Sequence, residues 1–121
     1  MHKKKPSMTL ICAQPCTSYF AWQIEVMLTN FQEKGLDKYD IRCLFAFNPK
    51  ENDWEEKVNT IKKVEYKFKK IATFYYYEDT RTFPLSYIST VRPHIIKKHF
   101  REYPKLSNRR IFYHDCDIVF T

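Results

Sequence analysis

The sequence predicts an α/β fold, in which a mainly parallel sheet is covered by helices on both faces in a three-layer, Rossmann-like arrangement. Short β-favouring apolar runs alternate with segments of helical periodicity in the order β-α-β-α-β-α-β. Such alternation implies right-handed crossovers and parallel strands. The chain has 121 residues and no linker or low-complexity tract, so we expect a single domain over residues 1–121.

The first predicted strand is Met8–Ala13, an apolar run stopped by Gln14 and Pro15. A helix should follow it directly, because Thr17 can cap a helix and large apolar residues then recur at helical spacing. Gly35 supplies a left-handed stop for this helix. These features predict one complete strand and helix unit.

A second unit repeats this order. Ile41–Phe47 is apolar and β-favouring, and it is closed by Asn48 and a proline. Asp53 and Glu56 then have the spacing of a capping box, which predicts the start of a second helix.

Two further strands complete the prediction. Ile71–Tyr77 is the third strand, and a helical region runs from about Leu85 to Tyr103, with Pro93 beginning or kinking its second part. Arg110–His114 is the fourth strand, and Ile118–Phe120 continues its apolar character.

Composition limits the possible partners. The chain has 21 basic and 14 acidic residues, which gives a net charge of +7 and favours an anionic partner such as a nucleotide diphosphate, nucleic acid or a phospholipid surface. The run Lys3–Lys5 is read as a solvated N-terminal tail. Gly35 is the single glycine, which excludes the glycine-rich loops of P-loop and dinucleotide-binding proteins.

The cysteines indicate a reducing compartment. They are scattered along the chain as Cys12, Cys16, Cys43 and Cys116. Since no signal peptide or membrane-length apolar run precedes them, we expect a cytoplasmic protein. A zinc site of Cys12 and Cys16 with His94 and His99 is disfavoured, because the spacing matches no familiar finger.

Polar residues follow each predicted strand, at the edge where open parallel sheets bind ligands. The candidates are Gln14 and Pro15 after the first strand, Asn48 after the second, and Glu78 and Asp79 after the third. Gln14, Pro15 and Asn48 either line a nucleobase pocket or act as turn residues.

Asp115 and Asp117 follow the fourth strand and form an Asp-x-Asp triplet. Two carboxylates with this spacing can face one divalent cation, and oxygen ligands suit Mg²⁺ or Mn²⁺. Such a cation would hold a diphosphate that the carboxylates alone would repel. The triplet is also common in ordinary surface turns, but here apolar residues flank it on both sides.

The segment Ile111–Phe120, with its central Asp-x-Asp, resembles the nucleotide-sugar site of the GT-A glycosyltransferases, and the resemblance covers nearly all of the chain. It implies that Asp115 contacts the sugar or ribose and that Asp117 binds Mn²⁺ or Mg²⁺. Glu78 or Asp79 would reach the base or ribose. Ser89, Arg92 and Pro93 also look like the helix that precedes the motif in this family, which would place Arg92 at the nucleotide sugar; equally, Arg92 and Pro93 simply mark a junction between two helices.

The resemblance implies metal-dependent transfer of a sugar from a nucleotide diphosphate to an acceptor hydroxyl on a glycan, lipid or protein. His114 is expected to be a packed neighbour of the motif rather than a base. A complete enzyme of this type needs an acceptor-binding region after the motif. We therefore expect a truncated donor-binding domain that is weakly active or inactive by itself.

Two other functions agree with parts of the sequence. A basic, non-enzymatic module that binds RNA is the main alternative, but no nucleic-acid partner is expected because the strand aromatics should form the core. Those aromatics are Phe45, Phe47, Phe74 and Phe112. A nucleotidyltransferase usually needs a glycine-rich first loop, which this chain lacks. Apolar residues after Asp117 would need cover, so a homo-oligomer is possible.

Overall fold

The computed structural model describes residues 8–81 and 88–117. In chain order its strands and α-helices are β1 (Thr9–Pro15), α1 (Ser18–Glu33), β2 (Asp40–Phe47), α2 (Trp54–Phe68), β3 (Ala72–Glu78), α3 (Ile88–Glu102) and β4 (Ile111–Tyr113). Short 3-10 helices, Leu36–Lys38 and Pro104–Asn108, precede β2 and β4. The predicted α/β fold class is confirmed.

All four strands of the sheet are parallel, in the order β3-β2-β1-β4. Leu10 of β1 lies between Ile41 of β2 and Phe112 of β4, which fixes the register of the three strands. Only three residues of β4 pair with β1, whereas β1 and β2 pair along seven. Because the strands are parallel, their carboxyl ends all lie at one edge of the sheet. The order of strand addition reverses at β1, since β2 and β3 lie on one side of it and β4 on the other.

The helices cover both faces of the sheet, because side chains of a strand alternate between faces. Leu10 and Cys12 of β1 belong to the core beneath α1 and α2. Ile11 and Ala13 face the other way, toward Val91 and Ile95 of α3. The result is the predicted three-layer arrangement.

The first helix begins and ends as expected. The Thr17 hydroxyl accepts a hydrogen bond from the Phe20 amide at 3.1 Å, and Gly35 has a left-handed φ of 74°. The predicted capping box of α2 is wrong, since the Asp53 side chain makes no capping hydrogen bond. The Asp53 carboxylate instead lies 3.7 Å from the Lys57 ammonium.

Pro93 lies inside α3, which runs on both sides of it from Ile88 to Glu102. It therefore does not begin a helix. The expected first part of this helical region at 85–87 and the apolar run Ile118–Phe120 lie outside the described residues. No helix in the described ranges 8–81 and 88–117 is long and apolar enough to cross a membrane.

Three of the four strand aromatics pack as predicted and one does not. Phe45 and Phe74 are buried and stack with ring centroids 5.4 Å apart, and Phe47 is half-buried. Phe112 is 40% exposed, so its predicted place in the core is wrong. β4 is an outer strand in the described part of the sheet, so one of its sides has no strand neighbour there.

Candidate functional site

The carboxyl edge of the sheet brings the predicted site residues to one side of the molecule. Pro15 ends β1, Asn48 follows β2, Asp79 follows β3, and Asp115 comes two residues after β4. The parallel topology is the physical reason, because every strand of such a sheet ends at the same edge. The site has two parts, which we call the β1–β3 pocket and the β4 segment.

The β1–β3 pocket is a cavity of about 200 Å³ that contains three of the predicted residues, Pro15, Asn48 and Asp79. Its other lining residues include Cys16, Phe47, Trp54, Lys57, Arg81 and Val91. Strand ends, the start of α2 and the first turn of α3 all contribute. The lining combines apolar side chains with a few polar ones, as ligand pockets commonly do.

The apolar wall of the pocket is built by Phe47 and Trp54. Their rings are stacked, with centroids 5.3 Å apart and planes 23° apart. Cys16 lies beside them, and burial raises the pKa of its thiol to about 12. This wall is therefore uncharged at neutral pH and can face a flat aromatic group.

The polar wall of the pocket contains an ion pair between Asp79 and Arg81. The guanidinium donates to the carboxylate at 2.6 and 2.8 Å, and both side chains are largely buried. Burial by itself raises the pKa of Asp79, but the hydrogen bonds and charge of Arg81 outweigh it and lower the pKa. Asp79 is consequently a fixed anion with a defined orientation.

Two predicted residues do not line this pocket. Gln14 is buried within the sheet, where its amide nitrogen donates to the Leu44 carbonyl oxygen at 2.8 Å. Glu78 is exposed, and its backbone carbonyl accepts a hydrogen bond from the Lys98 ammonium at 2.7 Å. Of the predicted acidic pair, Asp79 therefore lines the pocket and Glu78 does not.

The β4 segment carries the Asp-x-Asp triplet. Asp115 and Asp117 are exposed, whereas Cys116 between them is buried and anchors the turn. The Asp115 carboxylate lies 2.5 Å from the Arg92 guanidinium of α3. Arg92 and Asp115 also line a second cavity of about 250 Å³, beside Tyr113.

Helix α3 connects the two parts of the site. Val91 lines the β1–β3 pocket, and the next residue, Arg92, contacts Asp115 of the β4 segment. A ligand that spans the first turns of α3 would therefore meet both parts. In the sequence, only one feature indicated Arg92 as a site residue. This was the resemblance of Ser89, Arg92 and Pro93 to the helix that precedes the Asp-x-Asp motif in the GT-A glycosyltransferases.

Three buried side-chain atoms in the described residues have no hydrogen-bond partner, and all three belong to the β1–β4 side of this edge. They are Gln14 Oε1, Arg92 Nε and His114 Nε2. Buried polar atoms are almost always paired in folded proteins. An unpaired donor on Arg92 close to Asp115 fits a site that completes its hydrogen bonds when an anionic ligand binds.

His114 packs against the motif as expected. Its ring meets Phe31 edge-on at 5.4 Å and stacks on Phe112 at 5.7 Å. Nδ1 donates to the Asp115 carbonyl oxygen at 3.0 Å, which leaves Nε2 as the unprotonated nitrogen. Burial lowers the pKa of His114, so the ring is neutral at neutral pH.

The carboxylates at the β4 segment partly fit a divalent cation. Within the described ranges, no group of three or more His, Cys, Asp or Glu side chains is arranged to hold a metal ion. Asp115 and Asp117 offer two carboxylates, and Mg²⁺ commonly takes one or two protein carboxylates with phosphate oxygens and water as the remaining ligands. Asp115 and Asp117 are thus the residues that would hold such a metal, together with oxygens of a phosphorylated ligand.

Some pocket residues were missed by sequence reasoning. Trp54 and Arg81 line the pocket, but neither belongs to a motif in the sequence. The signal for Trp54 was its position just after the loop that follows β2. Nothing local in the sequence distinguishes Arg81, whose role depends on the fold around Asp79.

No protein-family model, no curated protein and no solved structure matches this chain.

Proposed function

We propose that this chain binds a nucleotide diphosphate sugar, as the donor-binding part of a metal-dependent glycosyltransferase of the GT-A type. The observation that supports the proposal is the placement of the β1–β3 pocket and the Asp-x-Asp triplet at one edge of the sheet. Val91 and Arg92 join the two parts. The pocket would take the nucleoside and the β4 segment the diphosphate and sugar.

Each residue has a role that suits its surroundings. The stacked pair Phe47 and Trp54 would pack against the base, and Asp79 would accept hydrogen bonds from the base or ribose. Arg92 would donate to the diphosphate, with its unpaired Nε as one donor. Asp117 would hold Mn²⁺ or Mg²⁺.

Asp115 would contact the sugar or ribose and give the metal a second ligand. In this proposal a cation must lie between the Asp-x-Asp carboxylates and the diphosphate, because the two negative groups would otherwise repel each other. When bound, the metal would stabilise the departing diphosphate as a Lewis acid. The acceptor would be a hydroxyl group of a glycan, lipid or protein.

Calorimetric titration with UDP-sugars and GDP-sugars, with and without Mn²⁺, tests the proposal. We expect binding by the wild type to require Mn²⁺ and to be lost in Asp117→Ala. Asp37→Ala is the matched control, because Asp37 lies in the 3-10 helix before β2, at the opposite edge of the sheet. Absence of nucleotide binding in the wild type, together with tight binding to RNA, would favour the RNA-binding alternative.

A further inference from the structure

The two edges of the sheet carry opposite charge. The connections that enter β2, β3 and β4, at 34–39, 69–71 and 103–110, contain seven basic residues and one acidic residue. The described connections that leave the strands, at 16–17, 48–53, 79–81 and 114–117, contain two basic residues and five acidic residues. We call the first set the amino edge.

Six of the basic side chains of the amino edge are exposed: Lys34, Lys38, Lys69, Lys70, Lys105 and Arg110. The seventh, Arg109, is half-buried and lies 3.1 Å from Asp40. With seven basic residues and one acidic residue, the described amino edge has a net charge of +6.

Helix dipoles explain only part of this pattern. Lys34 and Lys69 cap the carboxyl ends of α1 and α2, where a positive charge stabilises the helix. Lys38, Lys105 and Arg110 lie beyond the last turn of any α-helix. The dipole effect falls off within that turn, so these residues need another explanation.

We infer that the amino edge docks on a membrane surface rich in anionic phospholipids. A cluster of four to eight basic residues on one surface is typical of proteins that bind such membranes. Tyr66, 73% exposed near the end of α2, supplies an amphipathic side chain of the kind that is enriched at the membrane interface. A cavity of about 310 Å³ at this edge combines apolar Leu106 with Lys105 and Arg109, which suits an amphiphile.

RNA fits this surface less well, because its recognition relies on bases that stack on open aromatic faces. One face of the Tyr66 ring is occupied by the Lys69 ammonium, which lies 4.3 Å from the ring centroid. The Tyr103 ring faces the Arg42 guanidinium at 5.2 Å and contacts His99. With the amino edge on a membrane, the carboxyl edge and its candidate site would face away from the bilayer.

Cosedimentation with phosphatidylcholine vesicles, with and without phosphatidylserine, tests this inference. We expect binding only to the vesicles that contain phosphatidylserine. The double variant Lys70→Gln, Lys105→Gln should bind these vesicles about tenfold more weakly, or worse. Lys50→Gln, Lys97→Gln is the control, since it removes the same charge from exposed lysines outside the amino edge and should bind nearly as the wild type does.

Three results would overturn the inference. One is equal binding to both kinds of vesicle, and another is an equal loss in the control variant, which would indicate a response to net charge alone. The third is tighter binding to a single-stranded RNA than to the anionic vesicles, with the same dependence on Lys70 and Lys105. None of these results depends on the donor site at the opposite edge.

Discussion

The two parts of the candidate site differ in how firmly the fold supports them. The β1–β3 pocket rests on long paired strands, stacked buried rings and a largely buried ion pair between Asp79 and Arg81. The β4 segment follows a strand of three paired residues and relies on an exposed contact between Arg92 and Asp115. The fold therefore holds the pocket more firmly than it holds the Asp-x-Asp triplet.

The largest expected difference is in the free energy of unfolding when an aromatic residue is removed near each part, Phe45 for the pocket and Phe112 for the β4 segment. Phe45→Ala should lower the free energy of unfolding by about 3–5 kcal/mol, because Phe45 is fully buried and stacks on Phe74 and Tyr76. Phe112→Ala at the exposed edge should cost less than about 1 kcal/mol. Urea denaturation of both variants measures the difference, and equal costs would contradict the contrast between the two parts.

The second expected effect is a pH dependence of stability that comes from His99, a residue of α3 that contacts Tyr77 of β3. His99 is fully buried, with Nδ1 2.7 Å from the Tyr77 hydroxyl and Nε2 3.1 Å from the Arg42 guanidinium. Burial and then the charge of Arg42 lower its pKa from 6.5 to about 4, although Asp40 acts in the opposite direction. The ring is therefore neutral in the folded protein above this pKa.

His99 has its ordinary pKa of 6.5 in the unfolded chain, which therefore takes up a proton at a higher pH than the folded protein does. The free energy of unfolding should consequently decrease as the pH falls from 6.5 to about 4. The full loss is about 3 kcal/mol, and it levels off below the folded pKa. Gln in place of His99 can satisfy Tyr77 and Arg42 but cannot be protonated. Urea denaturation of the wild type and His99→Gln across this range should show the steeper decline in the wild type, and parallel curves would disprove it.

The third effect concerns the ion pair in the pocket. Arg81→Gln should lower the free energy of unfolding by about 1–3 kcal/mol at neutral pH, because the largely buried Asp79 carboxylate loses its charged partner. Since the folded pKa of Asp79 is lowered, its contribution is present above the ordinary aspartate pKa and is lost as the pH falls through the folded value.

The same variant should raise the pKa of Asp79, which carboxyl carbon NMR can follow. The stability difference between Arg81→Gln and the wild type should also shrink in acid. An unchanged pKa of Asp79 in the variant would show that burial and the other neighbours, rather than Arg81, set its ionisation.

The smallest expected effect on stability is that of Arg92→Gln, within about 0.5 kcal/mol, because the pair with Asp115 is partly exposed to solvent. Its effect on ligands should be larger. Removing a cation from Asp115 should strengthen binding of Mn²⁺ alone, whereas the loss of a phosphate donor should weaken binding of the nucleotide sugar. Calorimetry with each ligand distinguishes these directions, and a parallel change in both would contradict the assigned role.

The sequence predicted the strands and helices well because their signals are local. The apolar run that became β2 and the cap at Thr17 need no knowledge of the rest of the chain. The exposure of Phe112 could not be predicted, since it depends on the position of β4 at the side of the sheet. A β-favouring residue looks the same in a central strand and in an outer one.

The site was predicted only where its residues follow strand ends. Pro15, Asn48 and Asp79 were located by that rule, and the structure places them in one cavity. Gln14 satisfies the same rule, yet its side chain bonds inward to β2. Arg81 escaped notice because the value of an ion pair depends on the burial that surrounds it.

The central claim is that the pocket and the Asp-x-Asp triplet form one site, and NMR with Mn²⁺ tests it most directly. With UDP or GDP present, Mn²⁺ should broaden the amide signals of Asp115 and Cys116 and also those of Asn48 and Asp79. The same concentration of Mn²⁺ without nucleotide should broaden the pocket signals much less. Broadening confined to the β4 segment, with no response of Asn48 or Asp79 to the nucleotide, would contradict the account.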